Sequence, residues 1–338
     1  EPSSRSAAKK ALVITSLGGF FMLLGFLLIH SITGSFDLTF LLSQSESIQS
    51  LLRTHGVFLP ILFAIIIAGA SKSAQIPFHI WLPSAMVAPT PVSAFLHSAA
   101  MVKAGVYILG RFHPILVGDE WSLILITIGI ATMIITAFFA VISTTIKELL
   151  AYSTASHIGL ILIGFGIPIT LSGVPPSLSF VSGSFHLLNH ALFKAALFFI
   201  AGIVTCQVGV NAISEVKGLW KKLPLTAGFA IFASLCMAGI PLTSGFYSKE
   251  LLFQGIYAVA NNYGGIWWLL PILTVLASAF TVVYSLRFIM IFLGTPFPHQ
   301  QDISPPPLSM ILPTFVLILF SLLTIIYPSL VIDLISQS

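Results

Sequence analysis

Nine stretches of about twenty residues, each nearly free of charge, constrain this chain more than any other feature. They lie at about 11–31, 57–78, 92–110, 122–144, 149–168, 183–205, 225–243, 265–293 and 308–328, bounded by Gly, Pro, Asn or charge. Coiled as a helix, each run is long enough to cross the ~30 Å hydrocarbon layer of a bilayer. Only 7% of the 338 residues are charged and the mean hydropathy is +1.05. A soluble domain carries about a quarter charged residues, so a water-soluble enzyme and a peripheral binding module are both excluded. The predicted fold class is all-α: a polytopic membrane protein of about nine transmembrane helices, held in the lipid bilayer of a cell (inner) membrane. The connections at 32–55, 206–223, 244–264 and 294–307 exceed a dozen residues, and none is polar enough for a separate soluble domain.

The opening EPSSRSAAKK and the run behind it have the order of a signal peptide, but the run is too long and no small-residue cleavage site follows. A spanning helix is the better reading. The chain begins with Glu1 and enters a helix after ten residues, which leads us to expect a segment of a longer polypeptide. Arg5, Lys9, Lys10, Lys147, Lys217, Lys221, Lys222 and Arg287 collect on one side of the predicted spans, and Arg53 and Arg111 on the other. Basic residues favour the cytoplasmic side, so residues 1–10 are expected in the cytoplasm and the C-terminus outside.

Four basic residues remain: Lys72, Lys103, Lys194 and Lys249 fall inside apolar runs or at a break in one. They equal the whole formal excess of +4, which therefore gives no argument for a nucleic-acid partner. A charge at the bilayer centre costs roughly 2.5 to 3.5 kcal/mol on insertion scales. Four such residues call for polar neighbours, water or a changing protonation state. Lysine suits proton handling, because burial disfavours its charge and a nearby carboxylate favours it.

The sixth run carries His186, His190 and Lys194 at four-residue spacing, which places them within about 80° on one helix face. Histidine both donates and accepts and titrates near neutrality, so this stripe can pass protons along its length. His157, with Ser153 and Ser156 nearby, and His97 are weaker single candidates, each equally readable as a structural hydrogen-bond partner. Two runs are interrupted by proline: Pro77 and Pro83 follow Lys72, while Pro241 and Gly245 precede Lys249. Proline frees backbone carbonyls that, in lipid, need partners in protein or a wet cavity. Paired broken helices are a feature of inverted-repeat transporters. The acidic residues Glu1, Asp37, Glu46, Asp119, Glu120, Glu148, Glu215, Asp302 and Asp333 fall in loops or at run ends, and Glu250 follows Lys249. Cys206 and Cys236 match no metal or redox spacing and read as inert. No metal site and no cofactor is expected.

Three segments carry a resemblance: SKSAQIPFHIWLPSAMVAPTPVSAFLHSAAMVKAGVYIL, FHLLNHALFKAALFFIAGIV and GIPLTSGFYSKELL. They closely resemble the proton-translocating antiporter-like subunits shared by respiratory complex I and the multi-subunit Mrp cation/proton antiporters. The resemblance implies an antiporter-like fold of two inverted five-helix repeats, with this chain running from the family's sixth to its fourteenth helix. Residues 11–110 would then be the end of the first repeat, 122–293 the second repeat, and 308–338 the final helix and tail. It also implies that Lys72, Lys103, His186, His190, Lys194 and Lys249 form a proton path, and that a glutamate upstream of Glu1 partners Lys72. MVKAGVYIL, with Lys103, is most similar to the large A-type subunit of Mrp antiporters, whose partners are other membrane subunits, protons and Na+. The L-type subunit of complex I is the alternative, and a structural membrane subunit with static ion pairs is the rival from another class. The membrane subunit of inorganic-carbon accumulation systems is a further relative.

Overall fold

The computed structural model describes residues 2–173, 175–295 and 303–336, with the backbone alone for Pro2 and Ser3. Asp302 and the middle of the 294–307 connection lie outside them. Among the described residues there is no strand, and a single isolated bridge pairs Thr145 with Ala212. The principal helices are α1 (Pro2–Thr33), α4 (Phe58–Lys72), α7 (Met101–Leu116), α8 (Asp119–Ile142), α9 (Ile146–Phe165), α10 (Leu178–Val208), α11 (Pro224–Ala238), α12 (Ser244–Tyr263), α13 (Leu269–Ile289) and α14 (Leu308–Ile326). Shorter pieces are α2 (Leu38–Ser43), α3 (Ser45–Thr54), α5 (Trp81–Ser84), α6 (Thr90–Ala94) and α15 (Pro328–Ser336). Among the described residues seven helical segments are long and apolar enough to cross a membrane, or eight if the α3–α4 pair, bent by 116°, is one span, rather than the nine expected.

The helix ends follow local chemistry. Thr145 caps α9 by accepting from the Glu148 N–H at 3.2 Å, while Glu148 accepts from the Thr144 N–H at 3.3 Å. Pro224 opens α11, where a missing N–H costs nothing.

Three expectations need correction. Residues 2–10 are not a separate segment but the first turns of α1, whose 32 residues reach about 48 Å, well beyond the hydrocarbon layer. The expected 32–55 connection contains α2 and α3. The expected 244–264 loop is helix α12, twenty residues long. Its Ser248, Lys249, Glu250 and Gln254 lower its hydropathy, although Ser248 and Lys249 are buried and only the outer face is exposed.

Both expected helix breaks are present. After Lys72 the chain leaves the helix through Ala74 at φ 53°, and after Ala238 it leaves through Gly239 at φ 76° and Leu242 at φ 70°. Pro77 and Pro241 lie in these breaks. Pro83, however, sits inside α5, and Gly245 sits in the first turn of α12, where any side chain would collide with the Cys236 carbonyl. A third irregularity was not anticipated: the run expected as one helix at 92–110 contains a π-turn at Phe95–Ala99 that carries His97.

Helix α9 is buried along almost its entire length and forms the centre of the bundle. It packs on α8 so closely that Gly129 and Gly159 face each other backbone to backbone. Helix α10 touches α6, α7, α9, α11, α12 and α14, so it is the meeting point for the polar elements on either side of it. One apolar core fills the space around α10 and α11 with Phe198, Met237 and Tyr284, and another surrounds α4 and α7 with Leu62, Leu109 and Phe112. Leu23 of α1, Leu276 of α13 and Leu319 of α14 point outward, the pattern of a lipid-facing rim.

Candidate functional site

The polar stripe of α10 faces the buried helix α9 and the start of α12. His157 Nδ1 of α9 lies 3.1 Å from His186 Nε2, and His186 Nδ1 lies 2.9 Å from Ser248 Oγ of α12. Ser248 Oγ in turn donates to the Gly245 carbonyl at 3.1 Å. The serine proton is thereby committed to a carbonyl, which fixes the direction of the remaining hydrogen bonds. His186 Nδ1–H donates to Ser248, His186 Nε2 accepts from His157 Nδ1–H, and His157 Nε2 is left as a bare acceptor. That nitrogen is buried without a partner. His157 borders a cavity of about 10 Å³ that Lys249 and Ser156 also line, close to the least space that holds one water.

Lys249 also lines a larger cavity of about 350 Å³ between α12 and α13, together with Glu250, Phe246 and Ser278. Its Nζ donates to the carbonyls of Met237 and Ala238 at 3.2 and 2.9 Å, the last two residues of α11 before the break. Lys194 is 0% exposed and donates to Ser153 Oγ and, at 3.2 Å, to Met237 Sδ. Lys103 is 9% exposed and donates to the Leu187 carbonyl of α10 at 3.1 Å. The His190 ring lies 5.6 Å from that of His157, tilted by 38°, with both ring nitrogens free of protein partners.

His157, one of the weaker candidates in the sequence, is brought by the structure into the centre of this group. The other candidates are less closely joined. His97 is fully buried between Trp81 and Phe198, with ring centroids 6.3 and 5.6 Å away, and neither ring nitrogen has a hydrogen bond. Lys72 is only half-buried at the end of α4, and among the described residues no hydrogen bond or ion pair holds it. Ser248 was not anticipated. Its signal was its place directly before Lys249 in the interrupted run, on a segment taken for a loop.

Among the described residues no group of three or more His, Cys, Asp or Glu side chains is placed to hold a metal ion. Cys236 is buried and Cys206 exposed at the end of α10. The arrangement is a buried cluster of amines and imidazoles in which His157, His186 and Ser248 are joined by hydrogen bonds, side chains whose common chemistry is to hold and exchange protons.

A bundle of apolar helices, two of them broken, around buried lysines and histidines defines an antiporter-like polytopic membrane protein. The chain belongs to the NADH:quinone oxidoreductase/Mrp antiporter transmembrane family, whose model matches residues 1–281. It is 41% identical over 334 residues to a Rhizobium meliloti protein named as the A/B subunit of a "Probable K(+)/H(+) antiporter", covering 96% of this chain and 32% of that protein. It is 36% identical over 338 residues to the A-type subunit of a Bacillus subtilis Na(+)/H(+) antiporter, covering 96% of this chain and 42% of that protein. A chain of the Mrp complex from Dietzia sp. DQ12-45-1b superposes with a TM-score of 0.80 at 36% identity, covering 96% of this chain and 34% of that one. The chain thus spans about a third to two fifths of the length of each of these relatives.

Proposed function

We propose that this chain is the central membrane part of the large A-type subunit of a multi-subunit antiporter in the cell membrane, exchanging protons for an alkali cation. Its protons move along Lys103, His190, His186, His157, Lys194 and Lys249. The observation that carries this reading is the His157–His186–Ser248 chain, with its bare acceptor on the residue that shares a small cavity with Lys249. A proton delivered from Lys249 through one water to His157 Nε2 releases His157 Nδ1–H to His186. The His186 imidazolium passes its excess proton on by way of His190 to Lys103, and the now neutral pair resets by ring rotation. Similarity of 36–41% to antiporter subunits along nearly the whole chain favours cation exchange over coupling to quinone reduction.

In this reading residues 11–110 end a first inverted repeat, residues 122–293 form the second, and residues 308–338 close the unit. The lysine-rich loops and residues 1–10 face the cytoplasm, and other membrane subunits pack on the outward apolar faces. Lys72 and His97 serve the first repeat, and the breaks at Pro77 and Pro241 give the local freedom that hydration needs. The discriminating experiment is Lys194→Ala in the complete complex, reading cation-dependent proton flux in vesicles beside the assembly of all subunits. Loss of flux with assembly intact supports the relay. Parent-like flux, or loss of assembly alone, returns the lysines to a static structural role.

A further inference from the structure

A cavity of about 480 Å³ lies between the end of α7 and the start of α10, on the membrane face opposite the lysine-rich loops. At ~30 Å³ per molecule, it has room for on the order of fifteen waters. No step of the histidine relay passes through it. Four polar side chains line it: Tyr107, Arg111, His113 and Ser184. Arg111 decides its character. Among the described residues this guanidinium has no ion-pair partner, and its Nε is buried without a hydrogen bond. A cation in that position needs water or an anion beside it, and the adjoining cavity is the space that supplies it. His113, for its part, lies 3.3 Å through Nε2 from Ser179 Oγ on the same helix as the histidine stripe.

The inner wall of the cavity is Val106 and Leu187. The Leu187 carbonyl is the atom that holds Lys103 Nζ. Lys103 therefore sits one hydrogen bond behind the wall, one helical turn from Tyr107 on α7.

We infer that this cavity is a water-filled vestibule that gives Lys103 proton access to the membrane face opposite the lysine-rich loops. The neutral Lys103 amine takes a proton from the imidazoles of α10, turns from the Leu187 carbonyl into the vestibule as the ammonium and gives that proton to water, forming hydronium. The neutral amine then returns to the Leu187 carbonyl, and the hydronium releases the proton to the outer solution. Arg111 keeps the vestibule hydrated and, by its charge, unattractive to alkali cations.

This inference rests on the relay reading, and the test separates the two. In the complete complex, in a Cys206→Ser background, Ser184→Cys and Leu187→Cys are each exposed on that membrane face to a membrane-impermeant trimethylammonium-ethyl methanethiosulfonate. Proton flux is compared in the same vesicles before and after. The expected result is modification of at least one cysteine with a flux loss of about tenfold or more, the factor that ~1.4 kcal/mol on the barrier produces. Absence of modification at both positions overturns the inference, as does modification without loss of flux. Lys194→Ala is measured alongside. If it abolishes flux while labelling has no effect, the vestibule alone is refuted; if it leaves flux at the parent rate, the relay itself is refuted.

Discussion

Replacing Ser248 by alanine tests the direction of the hydrogen-bond chain without removing any titratable group. The serine hydroxyl is the acceptor for His186 Nδ1–H at 2.9 Å in a fully buried position. Without it, His186 has two choices. It keeps its tautomer and leaves a buried donor unsatisfied, at a cost of about 1–3 kcal/mol. Or it moves the proton to Nε2, which now faces His157 Nδ1–H at 3.1 Å and forces that ring to switch as well. The second choice puts an N–H, not a lone pair, on Nε2 of His157, beside the small cavity shared with Lys249. Either way, the state that receives a proton from Lys249 becomes less populated by that energy, and proton flux should fall roughly 5- to 150-fold. Ser248→Thr, which keeps the hydroxyl, should recover most of it. The assay is cation-driven proton flux in vesicles carrying the complete complex, normalised to assembled complex in detergent. Flux within about twofold of the parent in Ser248→Ala, a barrier change of only ~0.4 kcal/mol, would refute the assigned direction of the chain.

Two further predictions concern the scaffold. A Cβ at Gly159 would lie 2.6 Å from the Gly129 carbonyl oxygen, so Gly159→Ala must separate α8 from α9. We expect a loss of about 1–3 kcal/mol from overpacking, seen as a lower Tm of the purified complex; an unchanged Tm would show that this seam is loose. Arg287 donates to the carbonyls of Ala140, Val141 and Ser143 at the end of α8. Arg287→Ala should cost about 1 kcal/mol, because water replaces part of these bonds at this half-buried position, and a Tm equal to the parent's would argue against the cap.

The four lysines and the stripe of α10 were legible because charge is so scarce in this chain that each exception carries information, and because helical periodicity alone places residues four apart on one face. The position of His157 was not legible, since it depends on how α9 meets α10. That contact is set by Gly164 and Gly183, where a Cβ on Gly164 would approach the Gly183 backbone to 3.1 Å, a packing register that hydropathy does not encode. Helix α12 was mistaken for a loop because hydropathy averages over faces: Ser248 and Lys249 turn inward while Glu250 stays exposed. The left-handed turns at Ala74 and Leu242 leave no trace in sequence either. Both residue types disfavour that conformation by roughly 1–2 kcal/mol, and at Ala74, which is fully buried, the surrounding packing holds it.

The two breaks solve the same problem with different chemistry, and the difference makes a last prediction. Ending a helix inside the bundle leaves its final carbonyls without intrahelical partners. At the end of α4 the indole N–H of Trp81 donates to the Ser71 carbonyl at 3.0 Å, and Lys72 beside it holds nothing among the described residues. At the end of α11 the partner is Lys249, which satisfies the carbonyls of Met237 and Ala238. In the first break the cap is therefore neutral and fixed; in the second it is the residue proposed to load and release a proton. Lys249→Met should consequently cost both transport and stability, the latter by about 1–3 kcal/mol for buried carbonyls left unpaired. Lys72→Met should impair transport and leave stability unchanged or slightly higher, since it removes a half-buried charge that makes no bond. Thermal unfolding of the two purified complexes, compared with Trp81→Phe as the loss of the neutral cap, separates these cases. Equal Tm values for Lys249→Met and Lys72→Met would mean that Lys249 does not close the end of α11, and that the second break is held by packing alone.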